Sequence, residues 1–66
     1  MSVVKVIEIT SSSPTSFAEA VKEGIAKASE TIRGIRGAWV SEEYVVVENQ
    51  AVKEFRVTMR VSFQLD

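Results

Sequence analysis

The closing stretch of the chain restricts the fold more than any other. Phe55, Val57, Met59, Val61, Phe63 and Leu65 alternate without a break with Glu54, Arg56, Thr58, Arg60, Ser62 and Gln64. One face is wholly apolar and the other wholly polar, which is the pattern of an antiparallel strand packed on one side only. A strand of this length belongs in the middle of a sheet, so the rest of the chain must supply its neighbours and a cover for its apolar face.

The cover is a helix. From Phe17 the apolar period becomes 3.6: Phe17, Ala20, Val21, Gly24, Ile25, Ala28 and Ile32 form one stripe, with Glu19, Lys22, Glu23, Lys27 and Glu30 on the other side. Ala20, Gly24 and Ala28 keep the stripe thin enough for close approach to a sheet. Two starts fit: Ser13 capping ahead of Pro14, or Ser16 with Glu19 as a capping box. Arg33 and Gly34 predict the end near residues 33–34. The β-branched run Val3–Thr10 reads as a first strand and Ala38–Val47 as a second, with Glu48-Asn49-Gln50-Ala51 as the turn into the third. Asn49-Gln50 is not the Asn-Gly pair such turns prefer. A right-handed crossover through the helix puts the first and second strands on either side of the last. The expected class is α+β, one helix on a three-stranded antiparallel sheet in the order β-α-β-β, with residues 1–66 as one domain.

Composition removes several functions. The chain of 66 residues has no cysteine and no histidine, so it offers no disulfide framework, no ordinary zinc site and no serine–histidine–aspartate triad. A net charge of -1 lacks the basic footprint of a nucleic-acid binder. No apolar run approaches the roughly 20 residues of a membrane-spanning helix, and Lys5 and Glu8 interrupt anything resembling a signal peptide. The expectation is a cytoplasmic domain with no nucleic-acid or membrane partner. A domain of this size buries only about 60% of the surface its unfolded chain exposes. With disulfides and the usual metal ligands missing, self-association is the expected remedy.

Register then predicts the second face of the sheet. With the turn centred on Asn49-Gln50, Met59 faces Val40, Val61 faces Ala38 and Phe55 faces Tyr44 under the helix. On the helix-free side Arg60 faces Trp39, Thr58 faces Ser41, Arg56 faces Glu43 and Glu54 faces Val45. That side carries Trp39, Val45 and Val47 beside Arg56, Arg60 and Glu43. A tryptophan among arginines on an open sheet suits a subunit contact, a stacking platform for a planar ligand, or a base-stacking surface, the last opposed by the acidic balance.

The element order, together with Lys5-Val6-Ile7-Glu8-Ile9, Ser13-Pro14-Thr15-Ser16-Phe17 and the closing Phe55–Leu65 strand, resembles the dodecin family over essentially the whole chain. The resemblance implies a hollow shell of twelve subunits that stores or sequesters flavin (riboflavin, FMN or FAD) between aromatic rings at subunit contacts, without catalysis. In that family a tryptophan opening the second strand stacks on the isoalloxazine ring, and a glutamine in the third strand reads its polar edge. Here those positions are Gly37 and Arg56, and Trp39 lies roughly 6–7 Å further along the strand. Arginine only donates, whereas an amide donates and accepts. The implied cofactor-binding set is Gly37, Ala38, Trp39, Glu43 and Arg56, with Glu43 holding Arg56. Oxidised flavin is expected to bind weakly. The chain also resembles a dodecin-like branch described as calcium-binding, which carries an arginine at the Arg56 position. For calcium the chain offers Glu42, Glu43 and Glu48, with no EF-hand loop, so such a site would be shared between subunits.

Overall fold

A computed structural model of the chain describes residues 3–65. The order is β1 (Val3–Ser13), α1 (Phe17–Ser29), β2 (Ile35–Glu48) and β3 (Ala51–Leu65), and the three strands form one antiparallel sheet with β3 in the centre, β1-β3-β2. The expected architecture and strand order are therefore observed. Each strand runs longer than its apolar pattern: β1 continues through Ser11-Ser12-Ser13 because these residues still pair with Val57, Arg56 and Phe55. Backbone hydrogen bonding carries the ladder past the last β-branched residue.

Of the two possible helix starts, Ser16 is the cap. Its extended backbone (φ -169°, ψ 163°) stands outside the helix, and its Oγ accepts the Glu19 N–H at 3.0 Å. Ser13 instead fixes the approach, its Oγ accepting from the Thr15 N–H at 3.1 Å. The helix stops earlier than residues 33–34. The Ser29 hydroxyl donates back to the Ile25 carbonyl at 2.7 Å, and the Glu30 N–H bonds to Lys27 O, tightening the last turn. Gly34 (φ +77°) serves the entry into β2, where its carbonyl accepts the Gln64 N–H at 3.0 Å. A Cβ at Gly34 would stand 3.0 Å from the Gln64 carbonyl oxygen, so both conformation and space require glycine there.

The core lies between α1 and the β1–β3 half of the sheet. Ala20, Val57, Met59 and Val61 are fully buried, and Ile7, Ile9, Phe17, Val21, Ile25 and Ile35 pack around them. Phe17 meets Phe55 edge to face at 5.2 Å, pinning the start of the helix to the central strand. Gly24 lets the helix settle: a Cβ there would come within 2.8 Å of Met59 Cε and of Ser11 Cβ. The helix packs mainly on β1 and β3, so apart from Ile35 at its start β2 lies largely outside the helix's cover, and Val40, which shares the helix side with Met59, remains exposed.

A lone subunit is slender, 51 × 20 × 14 Å with a radius of gyration of 13.5 Å, against about 11 Å for a compact chain of this length. Its accessible surface is 4912 Å², above the roughly 4,200 Å² expected for a folded monomer of this mass. Val3, Val4, Val6, Trp39, Val40, Tyr44 and Val47 are among the large hydrophobic residues left in water. An open groove of about 840 Å³ runs between α1 and β1, lined by Ile7, Ile9, Ala28 and Ile32 among others.

The hairpin turn stores removable strain. Asn49 (φ 53°) and Gln50 (φ 67°) are both left-handed, as a two-residue turn with this twist demands. Asparagine tolerates that region; glutamine has no such compensation. Gln50→Gly is expected to stabilise the fold by about 0.5–1 kcal/mol, read as a higher denaturation midpoint with an unchanged slope. A lower midpoint would refute this account of the turn.

Candidate functional site

The helix-free face of the sheet is a series of rows, each contributed by the three strands. Glu8, Arg60 and Trp39 form one row and Thr10, Thr58 and Glu42 the next. Ser12, Arg56 and Tyr44 form a third. The predicted pairs Trp39–Arg60, Val40–Met59 and Ala38–Val61 are all present. Beyond Val40 the register departs from expectation, because Ser41 is an extra residue on β2 and its hydroxyl donates to the Thr58 carbonyl at 3.0 Å. Relative to unbroken alternation this extra residue carries side chains 42–46 to the opposite face, until a further irregularity between Val46 and Val47 restores the counted pairing at Val47–Val52 and Glu48–Ala51.

Several site assignments change with it. Glu43 pairs with Val57 on the helix side, not with Arg56, so it does not hold that arginine. Arg56 bonds instead to Glu54 at 3.0 Å along its own strand, and its guanidinium lies over the Tyr44 ring, 5.9 Å from the centroid. Thr58 faces Glu42 rather than Ser41, and Glu54 faces Val46 rather than Val45. Tyr44 joins the helix-free face and Val45 leaves it to sit opposite Phe55. Ala38, opposite Val61, turns its methyl to the helix side. Tyr44 and Glu42 are thus the site residues that sequence reasoning placed wrongly or left out of the ligand set. Polar Ser41-Glu42-Glu43 gives no change of hydropathy to mark the extra residue.

Trp39 is where the pattern predicted it, 57% exposed, with Arg60 over its ring at 5.3 Å. The face therefore carries two arginine–aromatic stacks with a polar row between them, each stack worth about 0.5–1 kcal/mol at an exposed site. Gly37 leaves open space: a Cβ built there meets no atom within 4 Å. Arg36, extra residue of a second bulge, reaches Gln64 at 3.0 Å. A cleft of about 340 Å³ opens on the middle row, lined by Thr10, Glu42, Glu43, Tyr44, Arg56 and Thr58. The two threonine hydroxyls in it are 3.2 Å apart and bonded to each other.

The proposed metal ligands do not converge within one subunit. Glu42 lies in that cleft beside Arg56, Glu43 turns to the other side, and Glu48 is held by Lys53 at 3.1 Å next to the turn. Among the described residues no three acidic side chains come together around one point. Nor, among these residues, is any helix long and apolar enough to cross a membrane.

Comparison with known proteins places this geometry. The family model described as Dodecin matches residues 3–66. The chain is 37% identical over 65 residues to calcium dodecin of Mycobacterium tuberculosis, covering 98% of this chain and 92% of the relative. Among solved structures, dodecin from Streptomyces davaonensis superposes with a TM-score of 0.95 at 29% identity, covering 98% and 96% of the two chains. Calcium dodecin from M. tuberculosis, whose structure is described as having a novel calcium-binding site, superposes at 0.85 with 34% identity, covering 97% and 91%. With the β-α-β-β order, the central closing strand and the sequence all in agreement, the chain belongs to the dodecin family.

Proposed function

We propose that the protein is a non-catalytic subunit of a homododecameric shell that sequesters a flavin-type planar ligand on its helix-free sheet face, at contacts between copies. The observation that carries this reading is the exposed Trp39 ring, stacked under Arg60 on a face that a single subunit leaves in water. Tryptophan and arginine are the residues that subunit contacts and stacking sites enrich. The excess surface and the groove beside β1 give further copies something to cover. Catalysis has little to work with: Ser41 and Ser62 donate to the carbonyls of Thr58 and Gly37, and the sequence holds no histidine to activate a hydroxyl.

Calcium is the second reading, and what favours it is the 34% identity to calcium dodecin, against 29% to the Streptomyces davaonensis protein, over the superposed chains. Calcium takes six to eight oxygens, and a site on this chain must draw them from more than one subunit. Arg56 beside Glu42 makes the cleft itself a poor cation site.

Riboflavin titration followed by flavin fluorescence separates the two, read beside the calcium content of freshly purified protein. Quenching that saturates, and that is abolished by Trp39→Ala while light scattering still shows the assembled particle, is the expected result. An absence of quenching with bound calcium overturns the flavin reading. Dissociation of the Trp39→Ala variant into monomers instead makes the indole a structural contact.

A further inference from the structure

Arg60 stands between two groups that compete for it. On β2 is Trp39, directly opposed in the sheet, with the guanidinium carbon of Arg60 over its ring at 5.3 Å from the centroid. On β1 is Glu8, directly opposed on the other side of the central strand and on the same face. All three residues are exposed. Arg60 and Glu8 take part in none of the ion pairs among the described residues. Yet opposed positions of an antiparallel pair stand about 4.5–5.5 Å apart at Cβ, within reach of an arginine. The two partnerships are nearly matched, because an exposed cation–π contact and an exposed ion pair each shift an equilibrium by only a few-fold. Arg60 can therefore change sides at little cost, and in the lone subunit it lies on the indole.

A guanidinium and a ring system cannot occupy the same face of one indole. Stacking on an aromatic side chain strengthens the binding of a planar ring by roughly five- to a hundredfold, more than the arginine gains there, so the ligand wins the face. We propose, resting on the flavin reading above, that Arg60 is a movable cap. It shields the apolar face of Trp39 in the lone subunit and gives way to a planar ligand by turning across its own strand to Glu8. Glu8 is then a positioning residue, which acts on the ligand only through Arg60. The ion pair that forms as the ligand enters is screened by salt, so the binding of even an uncharged ring depends on ionic strength.

The test uses lumiflavin, which carries no charge, titrated against the assembled protein by flavin fluorescence at about 0.01 M and about 1 M potassium chloride, where charges are felt over about 30 Å and about 3 Å. Light scattering checks that each variant remains assembled. At low salt Glu8→Gln is expected to bind lumiflavin about threefold more weakly than the wild type, and at high salt the two should be alike. Arg60→Ala should bind at least as tightly as the wild type, and adding Glu8→Gln to it should change nothing. Equal low-salt affinity of the wild type and Glu8→Gln overturns the proposal. So does a Glu8→Gln effect that survives in the Arg60→Ala background, since the carboxylate then meets the ligand itself. Weaker binding by Arg60→Ala overturns it as well, because the arginine is then a ligand contact and not a cap. Each of these outcomes leaves the flavin reading intact. If lumiflavin does not bind the wild type at either salt, the flavin reading itself fails and the proposal falls with it.

Discussion

Gly37→Trp should raise the affinity for riboflavin by roughly thirtyfold. Stacking a ring system on an aromatic side chain contributes about 1–3 kcal/mol, and about 2 kcal/mol corresponds to that factor. The backbone accepts a side chain at this position, because a Cβ at Gly37 meets nothing within 4 Å and the backbone there is not left-handed. Trp39 points to the same face two residues away, so the variant would offer two indoles along one edge of the sheet. Parallel fluorescence titrations of the two proteins check this. An affinity within twofold of the wild type would mean that the ligand does not lie over this end of β2.

Met59→Ala should cost about 2–5 kcal/mol. Met59 is fully buried at the centre of β3, and its terminal methyl fills the space under the helix that Gly24 leaves open. Truncation empties that space, and the helix has little room to drop and close it because Ser11 Cβ already stands 2.8 Å from where a Gly24 Cβ would be. Total stability for a domain of this length is about 3–10 kcal/mol, so the loss is a large share of the whole. Met59→Leu, which preserves volume, should cost less than about 1.5 kcal/mol. Chemical denaturation at one fixed protein concentration is the appropriate measurement, since association contributes to apparent stability. A loss under 1 kcal/mol for the alanine variant would show that the helix collapses onto the sheet after all.

The parts of the structure that sequence reveals are those where burial contrasts with exposure residue by residue. The closing strand alternates along its whole length, and its central place in the sheet follows from that pattern. The Trp39–Arg60, Val40–Met59 and Ala38–Val61 pairs follow from counting back across the turn. Counting fails over the segment between, from the irregularity at Val46/Val47 back to the bulge at Ser41, where three polar residues in succession leave the register unmarked. Glu43 and Tyr44 then exchange the faces that simple alternation assigns them. The end of the helix is hidden for a related reason. Arg33-Gly34 has the composition of a helix stop, but the stop is made by a serine hydroxyl and a tightened turn at residues 29–30, features that composition does not distinguish from helix interior. The candidate face was therefore located correctly near Trp39 and incorrectly beyond it.

The extra residue at position 41 also bears on how such a face can change over generations. Deleting Ser41 would merely close the ladder and leave Glu42 and Tyr44 outward, because alternation then resumes directly from Val40. The irregularity between Val46 and Val47 offsets this one, so the pairing nearest the turn and the pairing around Trp39 share one register. Loss of both together, with no change in chain length, would carry Glu42 and Tyr44 to the helix side and bring Glu43 and Val45 outward. A lineage built on this scaffold can thus re-face residues 42–46 through point substitutions alone, keeping both ends of the strand where they are.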